Sequence, residues 1–331
     1  MMREGQQRVM QGTGTQVFKV IVEDRYDGER MDKVLSESIA DVSRGLARKV
    51  IDFGGVFIDG KRIRRCDFAV RPGQTIEMFL DGRKYQAYSL SQQDIVYRDD
   101  YLLVINKPAG TETQPTPSRF KGTLYHVVLQ YLQQDRTKGV RPDVGMVQRL
   151  DRDTSGLILF SINQRSHKGL TQMFRDRKVE KYYLAIVSGE VRQGGTFDSL
   201  LARRRRDNRT LSVERGGKRA ITHYQPIGVH AGCSLVGIRL ETGRSHQIRA
   251  HFSEAGYPLV GDVRYGYVDK PGSGQAKRHL LHSASLALRH PMTDIPLHCQ
   301  VEPPADFAYF WQKACGSQVD WGNVLQQLVR S

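Results

Sequence analysis

Between residues 149 and 160 the chain reads Arg-Leu-Asp-Arg-Asp-Thr-Ser-Gly-Leu-Ile-Leu-Phe, a polar loop running into an apolar strand. The loop carries two carboxylates, Asp151 and Asp153, flanked by Arg149 and Arg152. An acid beside cations stays ionised, because nearby positive charge favours the charged form. An ionised carboxylate in a basic groove can act as a nucleophile or stabilise a developing cation. On residue types alone, either aspartate could equally cap the turn and pair with an arginine. The two share a face if the stretch is extended and diverge if it turns. Other reaction signatures are missing: Gly217-Lys218 lacks the preceding glycine of a phosphate loop, and Ser155-Gly156 lacks a nucleophile elbow. The histidines at 246, 251, 279, 282, 290 and 298 have neither an H-E-x-x-H spacing nor a cysteine pair beside them, so they read as structural or nucleic-acid-contacting rather than zinc ligands.

Such a site needs a scaffold and a partner. The chain has 331 residues, as a prior about two domains, with 50 Lys and Arg against 35 Asp and Glu, a formal charge of +15. The surplus points to a polyanion, with nucleic acid the commonest. It is clustered: residues 41–65 hold seven cations and three anions, and residues 203–219 hold eight and two. Arg44, Arg48, Lys49, Lys61 and Arg62 in the first cluster, and Arg203, Arg204, Arg205 and Arg206 in the second, are therefore expected to contact phosphates. No apolar run approaches the length of a membrane span, and the first residues lack the apolar core of a signal peptide. The four cysteines are scattered, which argues against a disulfide framework. A cytoplasmic protein without membrane attachment is expected.

Residues 1–15 are polar and read as disordered. Residues 17–22 read as a strand, residues 29–53 as helix broken at 41–43, and 55–65 as a hairpin turning at Asp59-Gly60. A strand at 75–80 closes this small domain, set at 16–80. Residues 81–93 read as a linker and 94–315 as a larger domain, with helices near 122–135 and 164–177. Phe307, Tyr309, Phe310 and Trp311 read as core, and 316–331 as a tail or terminal helix. Many strands and few helices, not strictly alternating, argue for an α+β fold.

Residues 17–80 resemble an S4 RNA-binding domain, a small α/β fold. The matching runs are Arg30-Met31-Asp32-Lys33-Val34-Leu35, Ser43-Arg44 and Gly55-Val56-Phe57-Ile58-Asp59-Gly60-Lys61. The run from Arg149 to Phe160 resembles the signature of RluA-type pseudouridine synthases. The family's other segments follow in order: Asn106 to Gly110, Lys181 to Ala185, Glu241 to His251, Gly256 to Asp262 with Tyr265-Gly266, and Leu280 to Ala284. The resemblance implies a mixed, largely antiparallel catalytic sheet and isomerisation of uridine in RNA, ribosomal RNA before transfer RNA, with no metal or organic cofactor. On the motif match Asp151 is the carboxylate at the sugar, Tyr183 packs on the base, and Arg244 pairs with the nucleophile. Leu281 lines the base pocket, and Arg149, His246, Gln247 and Arg249 join in substrate binding. Gln148 stands where many members have histidine, and Gln114 and Tyr257 also depart from the common pattern. A ribosomal precursor particle is a further candidate partner, and a monomer is the default. The alternatives are an RNA-binding or ribosome-assembly factor of the same fold without turnover, and a glycoside hydrolase using Asp151 and Asp153. The +15 charge disfavours the latter.

Overall fold

The computed structural model describes residues 6–10, 15–85, 88–134, 142–204, 206–269, 276–316 and 318–330. Contacts divide the chain into two units, Met1–Ser89 with Gln114–Tyr131, and Leu90–Thr113 with Leu132–Ser331.

In the first unit β1 (Gln6–Met10), β2 (Gln16–Ile21), β3 (Val56–Ile58), β4 (Lys61–Ile63) and β5 (Thr75–Leu80) form an antiparallel sheet in the order β1-β2-β5-β3-β4. The expectation of disorder over 1–15 is corrected by β1, which hydrogen-bonds along β2; residues 1–5 and 11–14 lie outside the described residues. Helices α1 (Met31–Ser38) and α2 (Arg44–Phe53) are separated at the expected break. Ser43 Oγ accepts from the Leu46 amide at 3.2 Å to start α2, and Gly54, at φ 83°, ends it. Asp59 at φ 49° and Gly60 at φ 77° make the tight turn joining β3 to β4. Met31, Val34, Leu35, Val50, Ile51, Val56, Ile76 and Met78 fill the core.

Two boundaries differ from the sequence reading. Residues 81–85 are not a free linker: Asp81 forms an ion pair with Arg119 at 2.5 Å, and the Tyr85 ring meets Phe53 edge-on at 5.1 Å. The stretch 114–131, expected in the larger domain, packs in this unit, where Phe53 O accepts from the Phe120 amide at 2.6 Å. Most of α3 (Leu124–Gln134) belongs here too.

The second unit contains β6 (Ile95–Arg98), β7 (Leu102–Lys107), β8 (Gly145–Met146), β9 (Ser155–Ser161), α4 (Gln164–Arg175), β10 (Glu180–Ser188), β11 (Gly195–Arg204), β12 (Arg209–Ser212), β13 (Lys218–His230), β14 (Cys233–Leu240), α5 (Gln247–Glu254), β15 (Leu281–Arg289), β16 (Pro296–Gln300), α6 (Ala305–Cys315) and α7 (Trp321–Arg330). The main path of its sheet runs β12-β11-β13-β14-β10-β15-β9-β7-β6, with β16 beside β15 and β8 beside β9. Among the described pairings only β9 with β15 is parallel, so the sheet is mixed and largely antiparallel, as expected. Strand β9 is buried along its whole length, as its near-continuous apolar run requires. It starts at a close approach: a Cβ on Gly156, at φ 105°, would lie 2.2 Å from Ser283 O. Phe307, Phe310 and Trp311 of α6 are buried, whereas Tyr309, expected in the core, is 68% exposed on the helix's outer side. Residues 321–330 take the terminal-helix option, with Val324, Leu325 and Leu328 in the core against α6 residues.

Candidate active site

The loop before β9 is held by backbone and buried polar groups rather than by its own carboxylates. Lys107, at the end of β7, is fully buried and donates to the carbonyls of Pro108, Thr111 and Arg152 at 2.9, 3.0 and 2.9 Å. Burial pushes this amine down to about 7, but three carbonyls match the three N–H groups of an ammonium, so the geometry is that of the charged form. Thr113 Oγ1 donates to Leu150 O at 2.7 Å, and Arg278 reaches Asp153 O at 2.9 Å. His279 Nε2 lies 2.9 Å from Thr154 Oγ1. Arg152 pairs with Asp153 at 2.9 Å, which leaves Asp151 to face another partner.

That partner is Arg249. From α5, its Nη1 donates to Asp151 Oδ2 at 2.9 Å, while Nε and Nη2 clamp Asp262 at 2.6 and 2.8 Å. Its guanidinium lies over the Tyr265 ring, 4.7 Å from the centroid. Arg244, expected to make this pairing, is exposed and donates to Arg219 O at 3.0 Å. The two arginines share one motif, and the left-handed turn at His246 (φ 54°) opens α5 between them, so only the later one faces inward. His246 Nε2 is 3.8 Å from Asp151 Oδ2, and its Nδ1 is 2.9 Å from the Tyr265 hydroxyl. The Tyr265 oxygen accepts from the Thr210 amide at 2.7 Å.

Burial opposes ionisation of Asp151, but the fields of His246 and Arg249 and the Arg249 hydrogen bond hold its carboxyl below the usual carboxylate range. Burial also pushes His246 towards neutrality, so the permanently charged Arg249 is the dependable cation. Tyr183 lies on β10 beside a register irregularity at Tyr182/Tyr183. Burial raises its phenol to about 12, so it stays protonated, with Ser283 hydrogen-bonded to it. Leu281, buried, opens β15 next to Ser155 of β9.

Gln247 is turned into the protein. It accepts from Thr242 Oγ1 and the Arg244 amide and donates to Ile221 O and Thr222 Oγ1, which uses its full hydrogen-bonding capacity. Arg149 is exposed, and the Gln148 side-chain nitrogen is buried without a hydrogen-bond partner. Asp262, Tyr265 and Lys107 were not singled out from the sequence. The available signal was a carboxylate, a phenol or an amine inside matched motif segments otherwise built of apolar and turn residues.

The expected phosphate-contacting cations divide. In the first unit Arg44 and Arg48, with Arg30, converge on the wholly buried Asp32 at 3.1, 2.6 and 3.0 Å, so their charge is partly neutralised. Arg62 spends its guanidinium on the carbonyls of Gly54 and Thr116, while Lys49 and Lys61 are exposed. In the second unit Arg203 is bonded to Asn208 and Arg204 to Asp207, and Arg206 is exposed. Arg205 lies outside the described residues.

The match to known proteins follows the same two parts. Residues 101–254 match the RNA pseudouridylate synthase family and residues 29–76 the S4 domain. The chain is 32% identical to ribosomal large subunit pseudouridine synthase D of Xanthomonas campestris, over 87% of this chain and 89% of that one. It is also 32% identical to the protein of the same name from Pseudomonas aeruginosa, over 85% and 91%. Among solved structures, human RNA pseudouridylate synthase domain containing 4 shares the fold with TM-score 0.57 at 23% identity, over 67% of this chain and 93% of that one. The chain belongs to the RNA pseudouridylate synthase family, and it is an RNA pseudouridine synthase with an S4 domain at its N-terminal side.

Proposed function

We propose that this enzyme isomerises uridine in large-subunit ribosomal RNA, with Asp151 as the carboxylate that works at C1′ of the sugar. The observation that carries the assignment is the ionised Asp151, 16% exposed and hydrogen-bonded by Arg249. The reaction breaks the N1–C1′ bond, turns the uracil, and joins C5 to C1′ with release of the C5 proton. The bond cannot be reached inside a base stack, so the target nucleotide flips out. Tyr183 packs on the flipped base as a neutral phenol, and Leu281 lines its apolar side. Arg249 keeps Asp151 charged and aimed, and His246 supports the same oxygen.

Ribosomal RNA is supported by the names of the Xanthomonas and Pseudomonas relatives, by the S4 match and by the +15 charge. An enzyme of bacterial-type ribosomal RNA works in the cytoplasm, and no helix of the described residues is long and apolar enough to cross a membrane. We take the monomer as the acting form, on free RNA or a precursor particle.

The test is tritium release from RNA labelled at uridine C5, comparing large-subunit ribosomal RNA with transfer RNA. Wild type is expected to release tritium from the ribosomal RNA, and Asp151→Ala to release none while its RNA affinity changes less than about threefold. Turnover by Asp151→Ala at the wild-type rate would remove Asp151 from the chemistry, and release from transfer RNA alone would overturn the substrate.

A further inference from the structure

The hairpin of β11 and β12 was expected to meet RNA through its run of four arginines, yet the described members next to the strands are occupied or point to solvent. Arg209, on the edge strand β12, differs from them. Its guanidinium lies over the Tyr265 ring, 5.1 Å from the centroid, on the same phenol that Arg249 covers at 4.7 Å. Its Nε is buried and has no hydrogen-bond partner. Among the described residues no carboxylate forms an ion pair with it, whereas Arg204 has Asp207, Arg219 has Asp198 and Arg249 has both Asp151 and Asp262. Stacking on an aromatic ring fixes the plane of the guanidinium and satisfies none of its five donors. The next residue, Thr210, donates its amide to the Tyr265 hydroxyl, and that hydroxyl meets His246 beside Asp151. Arg209 is therefore a pre-oriented, unpaired cation anchored to the ring that braces the catalytic carboxylate.

We propose that Arg209 binds a backbone phosphate of the RNA strand next to the flipped uridine. A planar fork suits a phosphodiester, which supplies the acceptors that the protein withholds. Because the guanidinium is held on Tyr265, docking the phosphate there also sets the distance between the strand and Asp151. The inference rests on the assignment of Asp151 to the sugar, and it makes Arg209 a substrate-binding residue rather than a catalytic one.

The test measures RNA affinity against salt, in the Asp151→Asn background so that turnover plays no part, for Arg209→Gln, Arg209→Lys and Arg203→Gln. Arg209→Gln is expected to weaken binding about tenfold, as the loss of one charge-assisted hydrogen-bonding group does. It should also lower the slope of log affinity on log salt by about 0.7, one phosphate contact on a single strand. Arg209→Lys should recover the slope, and Arg203→Gln should lower it less. With Asp151 restored, Arg209→Gln is expected to raise KM while kcat stays within about threefold and the thermal midpoint holds. An unchanged slope, or a fall in kcat at constant KM, would make Arg209 a packing group for Tyr265 and overturn the inference. Wild type that binds RNA with the full Arg209 effect but releases no tritium would instead overturn the role of Asp151.

Discussion

At the residue scale the site depends on a guanidinium shared between two carboxylates. Asp262 takes two donors of Arg249, and this fixes the third donor on Asp151. A lysine keeps the charge but cannot hold Asp262 bidentately and reach Asp151 at once. Arg249→Lys is therefore expected to slow single-turnover isomerisation about a hundredfold, the order of loss that follows a misplacement near 1 Å. Arg244→Gln, which removes an exposed side chain bonded to a backbone carbonyl, should stay within about threefold of wild type. Comparable losses in both variants would return Arg244 to the site. Five positions apart in one motif, the two arginines have the same residue type, and sequence offers no means of choosing between them. The left-handed backbone at His246, a conformation histidine adopts more readily than most residues, makes the choice.

At the scale of elements, the parallel meeting of β9 and β15 brings the Asp151 loop beside Leu281, and Gly156 permits it. A methyl group there would enter the Ser283 carbonyl at 2.2 Å on a backbone at φ 105°, so both clash and strain apply. Gly156→Ala is expected to destabilise the enzyme by about 3 kcal/mol. Gly60→Ala, at φ 77° with open space around it, carries only the backbone strain and should cost about 1 kcal/mol. Urea midpoints measure both, and equal losses would show that the β9–β15 approach is not tight. The glycine was legible as part of a motif. Ser283, 127 residues on, belongs to another matched segment, but that the two touch was not legible.

At the scale of the whole molecule, two buried histidines set the acid limit. Burial presses His279 and His282 down to about 4 from an ordinary 6.5. Below pH 6.5 the unfolded chain takes up protons that the folded chain refuses until about pH 4, so stability falls as the pH drops through that window. The loss is roughly 3 kcal/mol per histidine at most. Asp151 and Asp153, held below the carboxylate range, add a further loss only at still lower pH. Urea titrations at pH 7.5 and 4.5 check this, and equal midpoints would mean that the folded histidines are protonated. A second prediction concerns truncation. Removing residues 1–85 takes away Asp81 and the carbonyls of Arg83 and Lys84 that hold Arg119, and the Phe53 carbonyl that holds Phe120 and Lys121. The remaining chain is expected to elute as aggregates and bind a hydrophobic dye. A monodisperse product melting like the full chain would show that 114–131 packs without the first unit.

The primary sequence by itself determined the α+β class, the order of strands in the small domain's hairpin and the polyanionic partner, because each rests on local pattern, motif spacing or summed charge. Tertiary structure alone decided which arginine meets Asp151, that Gln247 turns inward, that Arg44, Arg48 and Arg62 are partly committed to protein groups, and that 114–131 joins the first unit. These are questions of which buried charge or amide finds which partner. Desolvation makes an unpaired group inside the protein costly, so the partners are chosen by what lies within about 3 Å in the folded chain, a distance that spacing along the sequence does not encode.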